Sequence, residues 1–433
     1  MSDLQTTGPL IDDRIRGFPP DHAPLPLDAI GGQGWKPYDG MMALPLISLD
    51  RQAFAKNVTL MMAYVKDHAV EIAPHAKTPM SVGVSDALIA AGAWGTTVAD
   101  IRQAAVLLKA GQRRLILANE IGGIGAARRL ASLLAGYPDA ELHIFVDSVA
   151  LVEALRAAWQ ERQDLPPLGL LVELGAGRAG ARSLEAAGVV LDAILTAETA
   201  RFGLSGIAAY EGAAATADAA ETLRRIDALM AMTAAFLPQV RARIGVERPL
   251  LLTAGGSVFF DRVVAGLSAA VAADPACRLV LRSGAIFFHD HGVYERGLTG
   301  LDDRGGFRVG GETISAAQGF QPALRVWAEI LSLPEPGLAI CGMGLRDAAI
   351  DQGLPRPLAL YREGVRLGDF TGAEVLRLND QHAFVQLPDD EVRVGDVVEF
   401  GISHPCTCLD RHAILYGLDP DHTVTTAYLT SFG

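Results

Sequence analysis

Between residues 70 and 284 the chain alternates short apolar segments with longer alanine- and leucine-rich stretches. The short segments have the length and composition of buried strands, and the longer ones have the length of helices. Strands that alternate with helices form βαβ units and a parallel sheet. Eight segments are predicted to be strands: VEIAPH (70–75), WGTTVA (94–99), RLILA (114–118), LHIFVD (142–147), LGLLVEL (168–174), LSGIAA (204–209), LLLTAG (250–255) and RLVLRSG (278–284).

Eight such units within roughly 215 residues favour a closed (β/α)8 barrel of the TIM type, whose usual size is about 250 residues. An open, doubly wound sheet is the alternative. The stretches that separate the strands predict helices over 100–110, 123–135, 148–162, 217–243 and 257–272.

The segments outside this region predict a second domain. MALPLISLD (42–50) reads as a strand that does not fit the barrel, and a predicted helix (51–67) follows it. After residue 285 the apolar segments are short, alternating and bounded by Gly, Pro and Asp, which is typical of antiparallel β structure. We therefore predict an N-terminal segment (1–50) with a strand that joins the β domain, a barrel (51–300) and a mostly β C-terminal domain (301–433).

Composition excludes several functional classes. The net charge of −13 argues against binding to nucleic acid or to an anionic membrane surface. Four cysteines in 433 residues are too few for a disulfide framework. The polar N-terminus does not resemble a secretory signal, and no apolar run reaches the ~18 residues of a membrane span. We expect a cytoplasmic protein with a small-molecule substrate.

The stretch EIAPHAKTPM (71–80) places Lys77 just after the first predicted strand, with His75 two residues before it. Active sites of barrels lie at this end of the strands. Lysine becomes a nucleophile for Schiff-base chemistry when burial or a nearby cation lowers its pKa from about 10.4. A solvated loop lysine is the alternative on position alone.

Glycine-rich loops follow the seventh and eighth strands, as TAGGS (253–257) and RSG (282–284). Their exposed N–H groups could hold a phosphate, as is usual at this face of a barrel. The candidate phosphate-binding residues are Gly255, Gly256, Ser257, Ser283 and Gly284. A lysine after strand one together with these loops indicates a phosphorylated aldehyde, pyridoxal 5′-phosphate (PLP).

A second group of candidate residues is SHPCTCLDRH (403–412). On an extended segment His404 and Cys406 share a face, and imidazole plus thiolate suits zinc. His382 is a candidate third ligand, and a reduced, buried cysteine pair beside a structural histidine is the alternative. The HDHG motif (289–292) could contact the cofactor or form a junction between domains.

Taken together, PHAKT (74–78), TAGGS, LRSGAIFFHDHGVY (281–294) and SHPC (403–406) resemble the D-serine dehydratase-like family of alanine racemase-type PLP enzymes, which includes D-threonine aldolases. The resemblance implies a homodimer in which Lys77 is the Schiff-base lysine and His404 and Cys406 bind zinc. It places Tyr210 near the cofactor ring. His75, two residues before Lys77, is a further candidate cofactor-binding residue by its position in the sequence.

These features predict a zinc-assisted dehydratase that converts D-serine, or a related D-β-hydroxy amino acid, to a 2-oxo acid and ammonia. Lys77 would act as the general base, and the metal would assist the departure of the β-hydroxyl group. A retro-aldol lyase of the D-threonine aldolase type is the first alternative. A non-catalytic PLP-binding protein is the second.

Overall fold

The first long strand of the chain leads directly into the first α-helix. The computed structural model describes residues 9–388 and 391–432. Residues 1–8, 389–390 and 433, which belong to the predicted first and third segments, lie outside the described part. Strands β1 (Leu10–Ile11) and β2 (Leu25–Pro26) pair antiparallel and precede β3 (Leu46–Asp50) and helix α1 (Arg51–Asp67). The Asp50 carboxylate accepts a hydrogen bond from the Ala53 N–H group (2.9 Å) and so caps α1 directly at the end of β3.

Eight parallel strands follow, each at a predicted position. They are β4 (Glu71–Ile72), β5 (Thr96–Val98), β6 (Arg114–Leu117), β7 (Glu141–Val146), β8 (Leu168–Leu174), β9 (Phe202–Ala209), β10 (Leu250–Ala254) and β11 (Cys277–Leu281). The helices between them are α2 (Val82–Ala90), α3 (Ile101–Lys109), α4 (Gly123–Leu134), α5 (Val149–Gln160), α6 (Leu184–Ala197), α7 (Ala219–Ile244) and α8 (Phe260–Ala272).

The two ends of this sheet meet, which closes the barrel. On one side β4 pairs with β11, the last strand. On the other side the Trp94 N–H group donates to the Ile72 carbonyl (2.8 Å), and the Thr97 N–H group donates to the Pro74 carbonyl (3.0 Å). The predicted (β/α)8 barrel is therefore confirmed, and the open sheet is excluded.

The barrel interior is filled by a small apolar cluster that ends below the C-terminal mouth. Its buried members are Ala73, Ile116, Phe145, Leu171, Ala208 and Val280. The Arg282 guanidinium lies above this cluster, with its carbon 5.0 Å from the centre of the Phe145 ring. The change from apolar cluster to buried cation marks the floor of the candidate site.

The C-terminal part is rich in antiparallel strands, as predicted. It begins with α9 (Val293–Asp303) and the pair β12 (Phe307–Val309) and β13 (Glu312–Ile314), followed by α10 (Ala316–Gly319). The strands that follow are β14 (Leu324–Glu335), β15 (Leu338–Cys341), β16 (Arg356–Arg362), β17 (Val365–Asp369), β18 (Glu374–Leu378), β19 (Ala383–Gln386) and β20 (Val397–Gly401). The last elements are α11 (Pro405–Leu409), β21 (Ile414–Leu418) and β22 (Val424–Leu429).

Strand β3 belongs to this second part although it precedes the barrel. It pairs antiparallel with β14 and parallel with β21, so it lies between two strands from the other end of the chain. The indole N–H group of Trp327, on β14, donates to the Ser48 hydroxyl (2.8 Å), and both residues are buried. No helix of the described residues is long and apolar enough to cross a bilayer.

Candidate active site

Lys77 lies in the loop that follows β4, at the C-terminal mouth of the barrel. Its side chain is exposed, whereas Ala76 and Thr78 on either side are buried. The Lys77 N–H group lies 3.4 Å from Nδ1 of His75, which accepts its hydrogen bond. Burial lowers the pKa of His75 well below its usual value, with Lys77 and Arg282 acting in the same direction. His75 is therefore a neutral imidazole that does not repel a protonated lysine.

The two glycine loops are joined to each other. The Ser283 hydroxyl donates to the Gly255 carbonyl (2.7 Å), and the Arg282 N–H group donates to the same oxygen (3.1 Å). Gly284 packs so closely against the lysine loop that a Cβ there would lie 2.5 Å from the His75 carbonyl oxygen. The loops after β4, β10 and β11 thus form one continuous wall, as the sequence predicted.

Several N–H groups on this wall have no protein acceptor. Those of Gly256, Val258 and Gly284 donate to no other described residue, and all three residues line the cavity described below. Gly284 is buried, so its N–H group is an orphaned donor that needs a ligand or water. Convergent unpaired N–H groups of this kind favour a phosphate.

Glu211 is a residue of this wall that sequence reasoning missed. Its buried carboxylate accepts hydrogen bonds from the N–H groups of Gly255 and Ser257 (2.9 Å each) and from the Ser257 hydroxyl (2.7 Å). A signal was available, because Glu211 follows β9 by two positions, where barrel enzymes place functional side chains.

Tyr210 extends from the end of β9 into the cavity. Burial raises its pKa, and Glu211 adds to the effect, so the phenol stays protonated. The guanidinium carbon of Arg178 lies 5.0 Å from the centre of the Tyr210 ring. Arg182 instead donates to the carbonyl oxygens of Arg178 and Ala179 and stays within its own loop.

A pair of acidic residues lies next to this region. Glu173, at the end of β8, is buried, and one of its oxygens has no hydrogen-bond partner, as does one buried oxygen of Glu120. Burial and the neighbouring Glu120 together raise the pKa of Glu173 to about 9. Glu173 thus remains a protonated carboxylic acid at neutral pH, although the nearby Arg178 and Arg282 lower its pKa.

His404 and Cys406 face the barrel mouth from the C-terminal part, and both line the cavity. Nδ1 of His404 lies 2.6 Å from the Asp351 carboxylate, which also accepts a hydrogen bond from the Thr407 hydroxyl (2.7 Å). The Cys406 sulfur lies 3.2 Å from the Thr78 hydroxyl, one residue after Lys77. A carboxylate on one imidazole nitrogen leaves the other free for a metal, as is usual at metal-binding histidines.

The segment that carries these two residues was wrongly predicted to be extended. It forms the short helix α11, with His404 at its boundary in an extended conformation and Pro405 in its first turn. Proline is favoured at this position because its fixed φ suits a helix and its missing N–H group would be unpaired anyway. The helix directs Cys408 away from the cavity, where it is buried and donates to the Asp347 carbonyl (3.5 Å).

The remaining candidate residues, His382 and the HDHG motif (289–292), do not line the cavity. His382 is exposed in the turn between β18 and β19 and does not line the cavity. Asp290, in HDHG, accepts hydrogen bonds from the N–H groups of Gly292 (2.7 Å) and Tyr294 (3.0 Å) at the start of α9. Burial lowers the pKa of His289 to about 4 and that of His291 to about 3, so both are neutral.

Lys77, the glycine loops, Tyr210 and the His404–Cys406 pair surround one cavity of about 230 Å³. Its lining residues are His75, Lys77, Thr78, Tyr210, Gly212, Gly256, Ser257, Val258, Phe259, Gly284, Ala285, Val293, Tyr294, His404 and Cys406. Of the predicted site residues, Gly255 and Ser283 lie behind this lining and connect the loops. Among the described residues no cluster of three or more His, Cys, Asp or Glu side chains forms a ready metal site.

The donor set fits PLP. An accessible amino group stands at the barrel mouth for the aldehyde, and unpaired N–H groups stand across the cavity for the phosphate. A (β/α)8 barrel with this arrangement, followed by a β domain that reaches over the mouth, defines the alanine racemase-type class of PLP enzymes.

Comparison with known proteins agrees with this class. The alanine racemase N-terminal domain matches residues 49–246, and the serine dehydratase domain matches residues 323–418. The chain therefore carries an alanine racemase-type N-terminal domain followed by a serine dehydratase domain, and its relatives are PLP-dependent lyases that act on D-amino acids.

Three relatives illustrate the similarity. The 3-hydroxy-D-aspartate aldolase of Paracoccus denitrificans (strain Pd 1222) is 26% identical over 83% of this chain and 84% of its own length. The D-threo-3-hydroxyaspartate dehydratase of Delftia sp. (strain HT23) is 25% identical over 54% of this chain and 65% of its own. The crystal structure of D-threonine aldolase from Filomicrobium marinum superposes with a TM-score of 0.72 at 22% identity, covering 90% of this chain and 95% of that one.

Proposed function

We propose that this protein is a zinc-assisted, PLP-dependent dehydratase of D-β-hydroxy amino acids, with D-serine as the lead substrate. One observation carries the proposal: Lys77, the unpaired N–H groups of the glycine loops, and the His404–Cys406 pair all line one cavity. The lysine and the loops suit the cofactor, and the histidine–cysteine pair faces them from the other domain. D-Serine would be converted to pyruvate and ammonia.

Lys77 would hold the cofactor through its aldehyde and later remove the α-proton of the substrate. When bound, PLP supplies a sink for the electron pair left at the α-carbon. Nζ of Lys77 is the accessible amine at the mouth, so we assign to it the acceptance of that proton. Neutral His75 lies beside this loop and places no competing positive charge there.

His404 and Cys406 would hold the metal, with Asp351 fixing the imidazole through Nδ1. Hydroxide is a poor leaving group at neutral pH, and a bound zinc ion supplies Lewis-acid assistance to its departure. A D-threo-3-hydroxyaspartate dehydratase has been solved as a cysteine-to-alanine variant in the metal-free form, which supports the proposal of a metal here.

The lining of the cavity supports a substrate with one carboxylate. Among the described lining residues there is no arginine, and Lys77 is assigned to the cofactor. A second substrate carboxylate, as in 3-hydroxyaspartate, would need a further cation. The names of the relatives support D-configured amino acids as the substrate class.

A retro-aldol lyase is the second candidate, because the Paracoccus and Filomicrobium relatives described above are both aldolases. It would use the same lysine and metal residues but would break the bond between the α- and β-carbons. D-Threonine would then give glycine and acetaldehyde, whereas dehydration gives 2-oxobutyrate and ammonia. A PLP-binding protein without turnover would give neither pair of products.

The first experiment records visible absorption spectra of the full chain after incubation with PLP, before and after addition of D-serine. We expect a band from lysine-bound cofactor that changes with D-serine. The Lys77→Ala variant should lack the band, and Lys56→Ala, on α1, should retain it. A wild-type protein without the band would refute the cofactor assignment.

The second experiment measures products and metal content together. The Cys406→Ser variant should keep the cofactor band, lose bound zinc and lose pyruvate formation from D-serine. Full activity in this variant would contradict the metal role. The homodimer implied by the resemblance and the cytoplasmic location expected from the composition are part of the same proposal. Light scattering of the purified protein tests the dimer.

A further inference from the structure

The N–H groups of the TAGGS loop alternate in direction. Those of Gly255 and Ser257 point to Glu211, at 2.9 Å from its two carboxylate oxygens. Those of Gly256 and Val258 have no protein acceptor, and both residues line the cavity. The loop turns at Gly255, which has a left-handed φ of 72°. Because two of these N–H groups are tied to one carboxylate, the peptides between them are held in a fixed direction.

The Glu211 carboxylate is completely buried, and its position is held from several sides. It accepts a third hydrogen bond, from the Ser257 hydroxyl (2.7 Å). A buried carboxylate persists only when it is hydrogen-bonded and compensated by charge. Arg282 lies close enough to act on this carboxylate electrostatically, and it donates to the Thr253 hydroxyl (2.9 Å) and to the Ala209 carbonyl (2.8 Å). Glu211 follows β9 and Arg282 follows β11, so the network spans the end of β10, the strand that lies between them.

We propose that Glu211 is a positioning residue that holds the TAGGS loop in the register in which the Gly256 and Val258 N–H groups, with that of Gly284, face the cofactor phosphate. The inference rests on the proposed binding of PLP in this cavity. The N–H groups of Gly255 and Ser257, by contrast, do not bind the cofactor in this proposal. They hold the loop in place through their hydrogen bonds to Glu211. Glu211 itself does not touch the cofactor.

If Glu211 hindered phosphate binding instead of aiding it, its replacement would change PLP affinity in the opposite direction. A carboxylate close to a phosphate repels it, so a Glu211 that only competed for the donors of the loop would weaken PLP binding. Its replacement would then strengthen binding. Positioning predicts the reverse, because donors that are already oriented lose less conformational freedom when the anion binds.

The test compares two ligands that differ only in the phosphate. Cofactor-free full-length protein is titrated with PLP and with pyridoxal, and both dissociation constants are obtained from absorption changes. In Glu211→Gln the amide nitrogen would face the Gly255 N–H group, a contact between two donors. We expect the Kd for PLP to rise at least tenfold and the Kd for pyridoxal to change less than twofold. Unchanged or tighter PLP binding would overturn the proposal, and so would an equal loss for both ligands.

Two further variants make the result specific. Glu211→Asp keeps the negative charge, but its shorter side chain does not reach both N–H groups. It should therefore show the same selective loss of PLP binding. If Glu211→Gln does not fold, Glu211→Asp tests the positioning role in its place. Glu198→Gln is the matched control: Glu198 accepts from the Leu204 N–H group (3.2 Å) and pairs with Arg248 near the start of β9, away from the mouth. It should leave the ratio of the two dissociation constants unchanged.

The outcomes separate the two proposals. A wild-type protein that binds neither PLP nor pyridoxal would refute the proposed function itself. Normal binding by the wild type without a selective loss in the Glu211 variants would refute only the positioning role.

Discussion

At the scale of single residues, Asp351 contacts one of the two proposed metal ligands, His404. It lies 53 positions before His404 in sequence but 2.6 Å from its Nδ1 atom. Asp351→Asn should lower zinc affinity by about 10- to 100-fold, because an uncharged amide oxygen is a weaker acceptor for the imidazole N–H group than a carboxylate. Competition with a chromophoric chelator measures this. PLP binding should be retained, and an unchanged zinc affinity would show that Asp351 does not orient the ligand.

Glu173 gives a prediction about stability and pH. Its folded-state pKa of about 9 lies above the value of about 4.3 for an exposed glutamate. Between these values the folded protein keeps a proton that the unfolded chain releases, so the free energy of unfolding falls as pH rises, by at most about 1.4 kcal/mol per pH unit. Glu173→Gln should therefore lose less stability between pH 5.5 and pH 8 than the wild type does.

Denaturant unfolding at several pH values measures this difference. The charged groups that act on Glu173 are Glu120, Arg178 and Arg282, and all three remain in the variant. Glu153→Gln, on the outer face of α5, is the control and should keep the wild-type profile. Parallel profiles for Glu173→Gln and the wild type would show that the Glu120–Glu173 pair holds no proton at neutral pH.

At the scale of elements, the start of α9 is packed against the segment that carries His404. A Cβ on Gly292 would lie 2.4 Å from the Ser403 carbonyl oxygen. The flanking N–H groups of His291 and Val293 donate to the Ile402 and Ser403 carbonyls, at 2.8 and 3.1 Å, so this backbone cannot move aside freely. Gly292→Ala should cost about 1–3 kcal/mol of stability and should weaken zinc binding.

Gly300, in the same helix, is the matched control. The nearest atom to a Cβ there is a terminal nitrogen of Arg304 at 3.4 Å. Alanine is favoured over glycine within a helix, so Gly300→Ala should be neutral or stabilising by up to about 1 kcal/mol. Thermal unfolding and zinc titration of both variants separate the two cases. Similar behaviour of the two would mean that the junction tolerates a Cβ at Gly292.

The sequence predicted the barrel well because its strands are buried on both faces and appear as continuous apolar segments. It also located Lys77, since the residues after such a strand must lie at the mouth. Glu211 and Asp351 could not be paired with their partners, because those lie 44 or more residues away and only the closed fold brings them together. The error over 403–409 arose because alternation of His, Cys and Cys was taken as a strand, although Pro405 is also a helix-start signal.

At the scale of the whole molecule, β3 joins the two proposed domains, whose bounds we place at residues 50/51 and 300/301. It pairs with β14 and β21, and Asp50 at its end caps the first helix of the barrel region. The proposed metal ligands, His404 and Cys406, stand on one domain and Lys77 on the other, so the geometry of the site depends on this connection. Such tight coupling predicts that the chain unfolds in one cooperative transition.

Ser48→Val tests this coupling. The substitution removes the acceptor of the buried Trp327 N–H group and should cost about 1–3 kcal/mol. Calorimetry and release of PLP from the barrel should then report the same lowered midpoint, because destabilising β3 destabilises both parts. Ser332→Val, exposed on β14, should leave the midpoint unchanged. Two separate transitions, with release of PLP unaffected, would mean that the barrel holds its site independently of the β domain and that β3 does not couple the two.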